Sequence, residues 1–165
     1  MRWLTKLGAA VTLTFGLGDD LPRGGPAKAD CDRLQGTWSL VESTDDGVTL
    51  KPPSVVQKSR FTFKDNRFRI WQDTEKGRVH DSRGTFTLDP IKNPKTIDFE
   101  LETTPIEPGT LLGIYKIDGD TLWICSGGID SDLRPNKFSS LLNSKVSLRI
   151  YKRISRQPAG ADEEH

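Results

Sequence analysis

Between Leu34 and Arg153 the chain repeats one pattern. Short runs of alternating apolar and polar residues are punctuated by Gly, Pro, Asn and Asp, and no helical stripe interrupts them. A period of two puts successive side chains on opposite faces of a strand, so the runs read as half-buried β-strands. Lys95 to Glu102 is the clearest: Ile97, Phe99 and Leu101 face one way, and Asp98, Glu100 and Glu102 the other. Gly36 to Ser43 aligns Trp38 with Leu40. Ser59 to Lys64 aligns Phe61 with Phe63. Arg67 to Trp71 sets Phe68 and Ile70 against Arg67, Arg69 and Trp71, and Gly84 to Leu88 aligns Phe86 with Leu88. Asp65-Asn66 and Asp118-Gly119 are hairpin turn signals, because Asn and Gly tolerate positive φ. The strands flanking Asp118-Gly119 (110–117 and 120–126) are apolar on both sides, which predicts that both of their faces are covered. Val146 to Arg153 closes the series, with Val146, Leu148 and Ile150 on one face.

About eight strands in 120 residues fit an up-and-down barrel or a two-sheet sandwich. Short sequential connections favour the barrel, and closure removes exposed edges. The fold class expected is therefore all-β, a single antiparallel up-and-down barrel of about eight strands. Leu133 to Asn143 is the one long interruption, read as a loop with a helical turn across a barrel mouth.

The ends read differently. Arg2 and Lys6 precede an uncharged run, Leu7 to Gly18, and Ala27-Lys28-Ala29 matches a small-x-small cleavage pattern. Residues 1–29 are expected to be a secretory signal and lead-in, with an uncleaved anchor or a disordered tail as the alternative. The run is shorter than the roughly 20 residues a membrane span needs, so no span is expected after cleavage. The domain is placed at 31–153 and a polar tail at 154–165. The 24 Lys and Arg balance 23 Asp and Glu, for a net charge of +1. Cleavage would remove four cations and two anions and keep the balance near zero. That argues against a nucleic-acid partner, which requires a basic excess or stripe. The expected location is extracytoplasmic, secreted or periplasmic.

Five segments together carry a resemblance: LQGTW at 34–38, NPKTIDFE at 93–100, GIYKIDGDTLWIC at 113–125, RPNKF at 134–138 and LRIYKR at 148–153. They resemble, in order, a lipocalin-like family of planctomycete extracytoplasmic domains of unknown function. The resemblance implies a lipocalin-like barrel. It also implies a role for Gly36 and Trp38: the indole plugs the closed end and an Arg of the last strand lies across it. Arg153 is the first candidate for that Arg, with Arg149 and Arg156 as alternatives, and the contact would be a cation–π stack. The other reading of Trp38 is a simple core aromatic.

No catalytic constellation emerges, so a non-enzymatic protein without cofactor or metal is expected. His80 sits beside Asp81 in a polar, loop-like stretch, and adjacent strand residues point apart. Asp118, Asp120 and Glu107 read as turn chemistry rather than a cation site. Ser126-Gly127-Gly128 lacks a nucleophile elbow. Cys31 and Cys125 are candidates for one disulfide in an oxidising compartment, the alternative being that Cys125 is a reduced small hydrophobe. Arg134, with Pro135 and Phe138 anchoring its segment, either pairs with Asp120 or faces an anionic ligand. The aromatic row Phe61, Phe63, Phe68, Phe86 and Phe99 lines the interior, where it either fills the barrel or borders a ligand. The expected partner is a small apolar or amphipathic molecule. The alternative is an envelope protein docked on a filled barrel, with an exposed patch at Trp71 or Trp123.

Overall fold

The computed structural model describes residues 25–50, 59–74, 77–103 and 108–156, and of residues 73–74 and 77–81 the backbone alone. One helix, α1 (Pro26–Leu34), precedes nine strands: β1 (Gly36–Asp45), β2 (Val48–Leu50), β3 (Ser59–Lys64), β4 (Arg67–Thr74), β5 (Gly77–Asp89), β6 (Thr96–Thr103), β7 (Gly109–Asp118), β8 (Thr121–Ser126) and β9 (Ser147–Ser155). Every pairing is antiparallel. From β3 to β9 each strand pairs with the next, and β9 pairs with β1. One edge of β1 is shared: its first half pairs with β3 and its last three residues with β2. The ring is thus an eight-stranded closed barrel, and β2 lies outside it.

Local sequence explains the corners. The β1–β2 turn uses Asp46 (φ 52) and Gly47 (φ 78), and the β7–β8 loop is Gly119-Asp120, with Gly119 at φ 55. In the β3–β4 turn the positive φ falls on Asp65 (φ 55) rather than on Asn66. Gly84 marks a bend where β5 loses register with β6, and a Cβ there would lie 1.8 Å from the Glu100 carbonyl oxygen. Only glycine permits that backbone approach.

The inward residues form one cluster that includes Trp38, Leu40, Phe61, Phe63, Phe68, Phe86, Ile97, Phe99, Leu122 and Tyr151. The rings pack edge to face around Phe61, with Phe68 at 5.7 Å and Tyr151 at 5.5 Å. On β9 the inward side is Arg149, Tyr151 and Arg153, so Leu148 and Ile150 face outward, against their apolar character. The facing is set at the seam, where Arg153 lies opposite the inward Trp38 and Tyr151 opposite the inward Leu40; past a bulge between Leu40 and Glu42, Arg149 lies opposite Ser43.

The connection after β8 does not form a helical turn over a mouth. It runs along the outer wall, with Arg134 on Asp98 of β6, Leu133 against Gly127, and Ser139 over Cys125. This covers the outer face of the β7–β8 hairpin, where Ile114 and Cys125 are buried. Two further readings change. Trp71 is buried, with Arg69 across it at 5.6 Å. The backbone of residues 77–80 is strand rather than loop, and the side chains of His80 and Asp81 lie outside the described residues, as does Glu107.

α1 closes the end of the barrel where β1 begins. Pro26 starts it, as expected for a residue without an N–H in the first helical turn. Its last residue, Leu34, is fully buried. Asp30 is also buried and accepts hydrogen bonds from Lys95 Nζ (2.6 Å), Tyr115 Oη (2.7 Å) and Arg33 (3.3 Å). Burial alone would raise the carboxyl pKa. The bonds from Lys95 and Tyr115 outweigh it and hold Asp30 below its ordinary value of 3.8. A depressed folded pKa stabilises the fold fully above the unfolded value, and this stabilisation is lost as pH falls through the folded value. Asp30→Asn is expected to lower stability by about 2 kcal/mol at neutral pH. In urea denaturation the gap between wild type and variant should close progressively below pH 3.8.

Candidate functional site

The two ends of the barrel are built differently, and the difference defines the site. At the closed end, Gly36 takes φ 109 and leaves no room for a side chain, since a Cβ would meet the Ser155 carbonyl oxygen at 2.2 Å. That approach brings the first strand against the last. Trp38 follows on the inner face, fully buried, and its Nε1 donates to the Leu34 carbonyl at 2.8 Å. Arg153, paired directly with Trp38 across the ladder, lays its guanidinium 3.9 Å from the indole centroid. Its nitrogens donate to the carbonyls of Gln35 (2.6 Å) and Arg33 (2.5 Å) and to Asp120 (3.0 Å). The structure therefore brings Gly36, Trp38, Arg153 and Asp120 together. Arg149 lies further along β9 at the other end, and Arg156 reaches only Asp120.

Gln35 fastens α1 to the β3–β4 turn. Its side-chain oxygen accepts from Asp65 N at 2.7 Å and its amide donates to Asp65 O at 3.0 Å. Phe63 and Phe86, 5.2 Å apart and edge to face, fill the layer above Trp38.

The opposite half is not filled. A cavity of about 240 Å3 opens there. Phe61, Phe68, Phe99, Leu40, Ile70, Leu101, Leu111 and Ile124 line it with apolar surface, and Ser59, Ser82, Ser126, Arg149 and Tyr151 add polar groups. Three of the five sequence-predicted phenylalanines thus border the cavity, while Phe63 and Phe86 belong to the packed layer below. Among the described residues Arg149 is the single charged residue of the lining. It stands 3.6 Å from Asp45, whose carboxylate also accepts from Ser43 (2.7 Å) and Ser147. Tyr151 is nearly fully buried, and burial pushes its phenol up to about 12. Sequence reasoning did not select Arg149 or Tyr151 as ligand contacts. The alternation Arg149-Ile150-Tyr151 was visible, but the apolar partners Leu148 and Ile150 pointed to the wrong face.

Arg134 is not at the cavity and does not pair with Asp120. It forms a two-pronged pair with Asp98 (2.5 and 2.9 Å) and donates to the Gly113 carbonyl at 2.8 Å, on the outer wall. Asp98 outranks Asp120 because the connection follows β6–β7, whereas Asp120 lies at the closed end, occupied by Arg153. Pro135 beside it is buried and Phe138 half-buried, so this segment is pinned to the wall.

Cys31 and Cys125 are free. Cys31 faces the Asp65 carbonyl beneath α1, and Cys125 faces outward towards Ser139. With one at the closed end and the other on the outside of the wall, the Cβ atoms cannot take up the short separation of a disulfide. Burial pushes both thiols above their ordinary range. Among the described residues no group of His, Cys, Asp or Glu is arranged to hold a metal ion, and no helix is long and apolar enough to cross a membrane.

Comparison with protein-family models, with curated proteins and with solved structures returns no match for this chain.

The two arginine ties separate cleanly by experiment. Arg134→Ala should lower stability by about 1–2 kcal/mol, since its partner is a third exposed, without changing binding of any molecule in the cavity. Arg153→Met removes three hydrogen bonds and the stack at a position 7% exposed. It should cost about 3 kcal/mol. Thermal melts of both variants check the order.

Proposed function

We propose that this chain is an extracytoplasmic, non-enzymatic lipocalin-like domain that holds a small amphipathic molecule in the open half of its barrel. The cavity carries this reading. Protein interiors leave few voids larger than a water, and an eight-stranded barrel is just wide enough to enclose one small ligand. An apolar space of about 240 Å3 at an open barrel end, above a fully packed lower layer, is the form such a site takes. Among the described residues no histidine or carboxylate lines it, which favours binding over catalysis. The charge pattern of residues 1–18 supports export, and the five family-like segments support membership of the lipocalin-like planctomycete family.

A second reading, docking on a protein partner, has one observation in its favour. Val48 and Leu50 of β2 and Leu141 and Leu142 of the outer connection are exposed, and the turn at Gly47 packs on the Leu141-Leu142 backbone. Trp71 and Trp123 do not contribute such a patch: the first is buried, and the second is half-buried under Lys116 Nζ at 4.8 Å.

Native mass spectrometry of the protein purified from its own host should show a bound small molecule. Leu111→Trp, which places a large side chain in the cavity, should abolish that adduct and at least tenfold of the affinity for a neutral solvatochromic dye such as Nile red. Equal dye binding by wild type and Leu111→Trp would remove the cavity from the argument.

A further inference from the structure

Two polar side chains, Arg149 and Tyr151, stand in a largely apolar wall of the cavity. Tyr151 is 2% exposed, and its ring packs on Phe61 at 5.5 Å. Among the described residues its hydroxyl makes no hydrogen bond, although it belongs to a residue of the cavity lining. Buried tyrosine hydroxyls ordinarily find an acceptor or donor. Arg149 lies two residues earlier on β9, so both side chains rise from the same inner face, about 7 Å apart along the strand. Across the ladder Arg149 opposes Ser43 and Ile124, and Tyr151 opposes Leu40 and Leu122.

The Arg149 guanidinium carries five N–H donors, and its ionic neighbour among the described residues, Asp45, stands at 3.6 Å, beyond hydrogen-bond range. Asp45 already accepts from Ser43 and Ser147. Arg149 borders the cavity with its side chain 38% exposed, so its guanidinium is reachable from the open end. Ser126 is also buried at the rim, at the end of β8 and opposite Ser147. The polar lining combines one donor-only guanidinium with four hydroxyls that donate or accept, and it adjoins an apolar floor made by Phe61, Phe68, Phe99 and Ile124.

We propose that the cavity takes a medium-chain anionic amphiphile whose carboxylate is held between the Arg149 guanidinium and the Tyr151 hydroxyl, with its hydrocarbon tail among the phenylalanines. This rests on the reading that the cavity is a binding site, and deepens it to a ligand class. A carboxylate supplies two acceptor oxygens, one for the planar fork of Arg149 and one for the phenol. Burial keeps the phenol protonated, with a pKa of about 12, so it donates throughout the neutral range. A cationic head would face the guanidinium with like charge, and a neutral alcohol would present one oxygen in place of two. A cavity of about 240 Å3 suits a short or medium hydrocarbon tail.

The test is displacement of Nile red at pH 7.5 by octanoate, 1-octanol and octylammonium, from wild type, Arg149→Met, Arg149→Gln and Tyr151→Phe. Circular dichroism and melting curves check the fold of each variant. Reading the ratio of octanoate to octanol affinity within each protein cancels any general loss of cavity binding. Wild type should prefer octanoate over octanol at least tenfold and bind octylammonium weakest. The ratio should fall to about one in both Arg149 variants and by threefold or more in Tyr151→Phe. Equal displacement by octanoate and octanol in wild type would overturn the head-group assignment, as would an unchanged ratio in a folded Arg149 variant. In either case dye binding shows that the cavity reading still stands. Failure of wild type to bind the dye or any of the three amphiphiles would overturn both.

Discussion

A barrel made of sequential hairpins closes only if its first and last strands meet in register, and here one side chain governs that junction. Arg153 reaches from β9 across Trp38 to the carbonyls of Arg33 and Gln35 at the end of α1, and to Asp120 in the β7–β8 loop. Those contacts bind the start of β1, the end of β9, the cap helix and a hairpin loop into one unit. The desolvated guanidinium satisfies carbonyls that would otherwise be stranded at a helix terminus. The absence of a side chain on Gly36 lets the strands come close enough for the stack to form. With both edges consumed, the ring presents no long unpaired strand to a neighbouring chain.

The closed end is dense because every layer there has a partner. Asp30, Tyr115 and Lys95 lock α1 to β6–β7, and Phe63, Phe86 and Trp38 complete the packing. The open end uses smaller or shorter residues on the inner face: Ser59, Ser82 and Ser126 in place of a fourth layer of rings. The cavity is thus the consequence of where serines replace aromatics along the inward positions, and Arg149 gives that space a sign of charge. Stability and the candidate binding site are separated along the barrel axis, so the mouth can vary without loosening the knot below.

Much of this was legible from alternation alone. Ile97, Phe99 and Leu101 face the core as their spacing requires, and the doubly apolar strands around Gly119 are covered on both sides. The misreadings have physical sources. β9 shows Leu148 and Ile150 as its apolar face, yet its register against the inward Trp38 and Leu40 of β1 puts Arg153, Tyr151 and Arg149 inside. Register between strands more than 100 residues apart leaves no mark in composition. Arg134 chose Asp98 over Asp120 because the outer connection follows the wall, a path that Pro135 and Phe138 do not specify by themselves. α1 was not anticipated, because nine residues with charges at Lys28, Asp30, Asp32 and Arg33 show too little amphipathic pattern, and the burial of Asp30 depends on Lys95 and Tyr115 some 65 and 85 positions away.

The sequence by itself determined most of the strands and their up-and-down order, though not β2 or the first part of β5, because period-two patterning and turn chemistry are local properties of the chain. Tertiary structure decided which residues share the interior of the open end, which partner each arginine takes, and that the two cysteines stand apart. The first of those outcomes depends on register at the β1–β9 seam. A slip of one residue there exchanges inside for outside, and no short stretch of sequence encodes it.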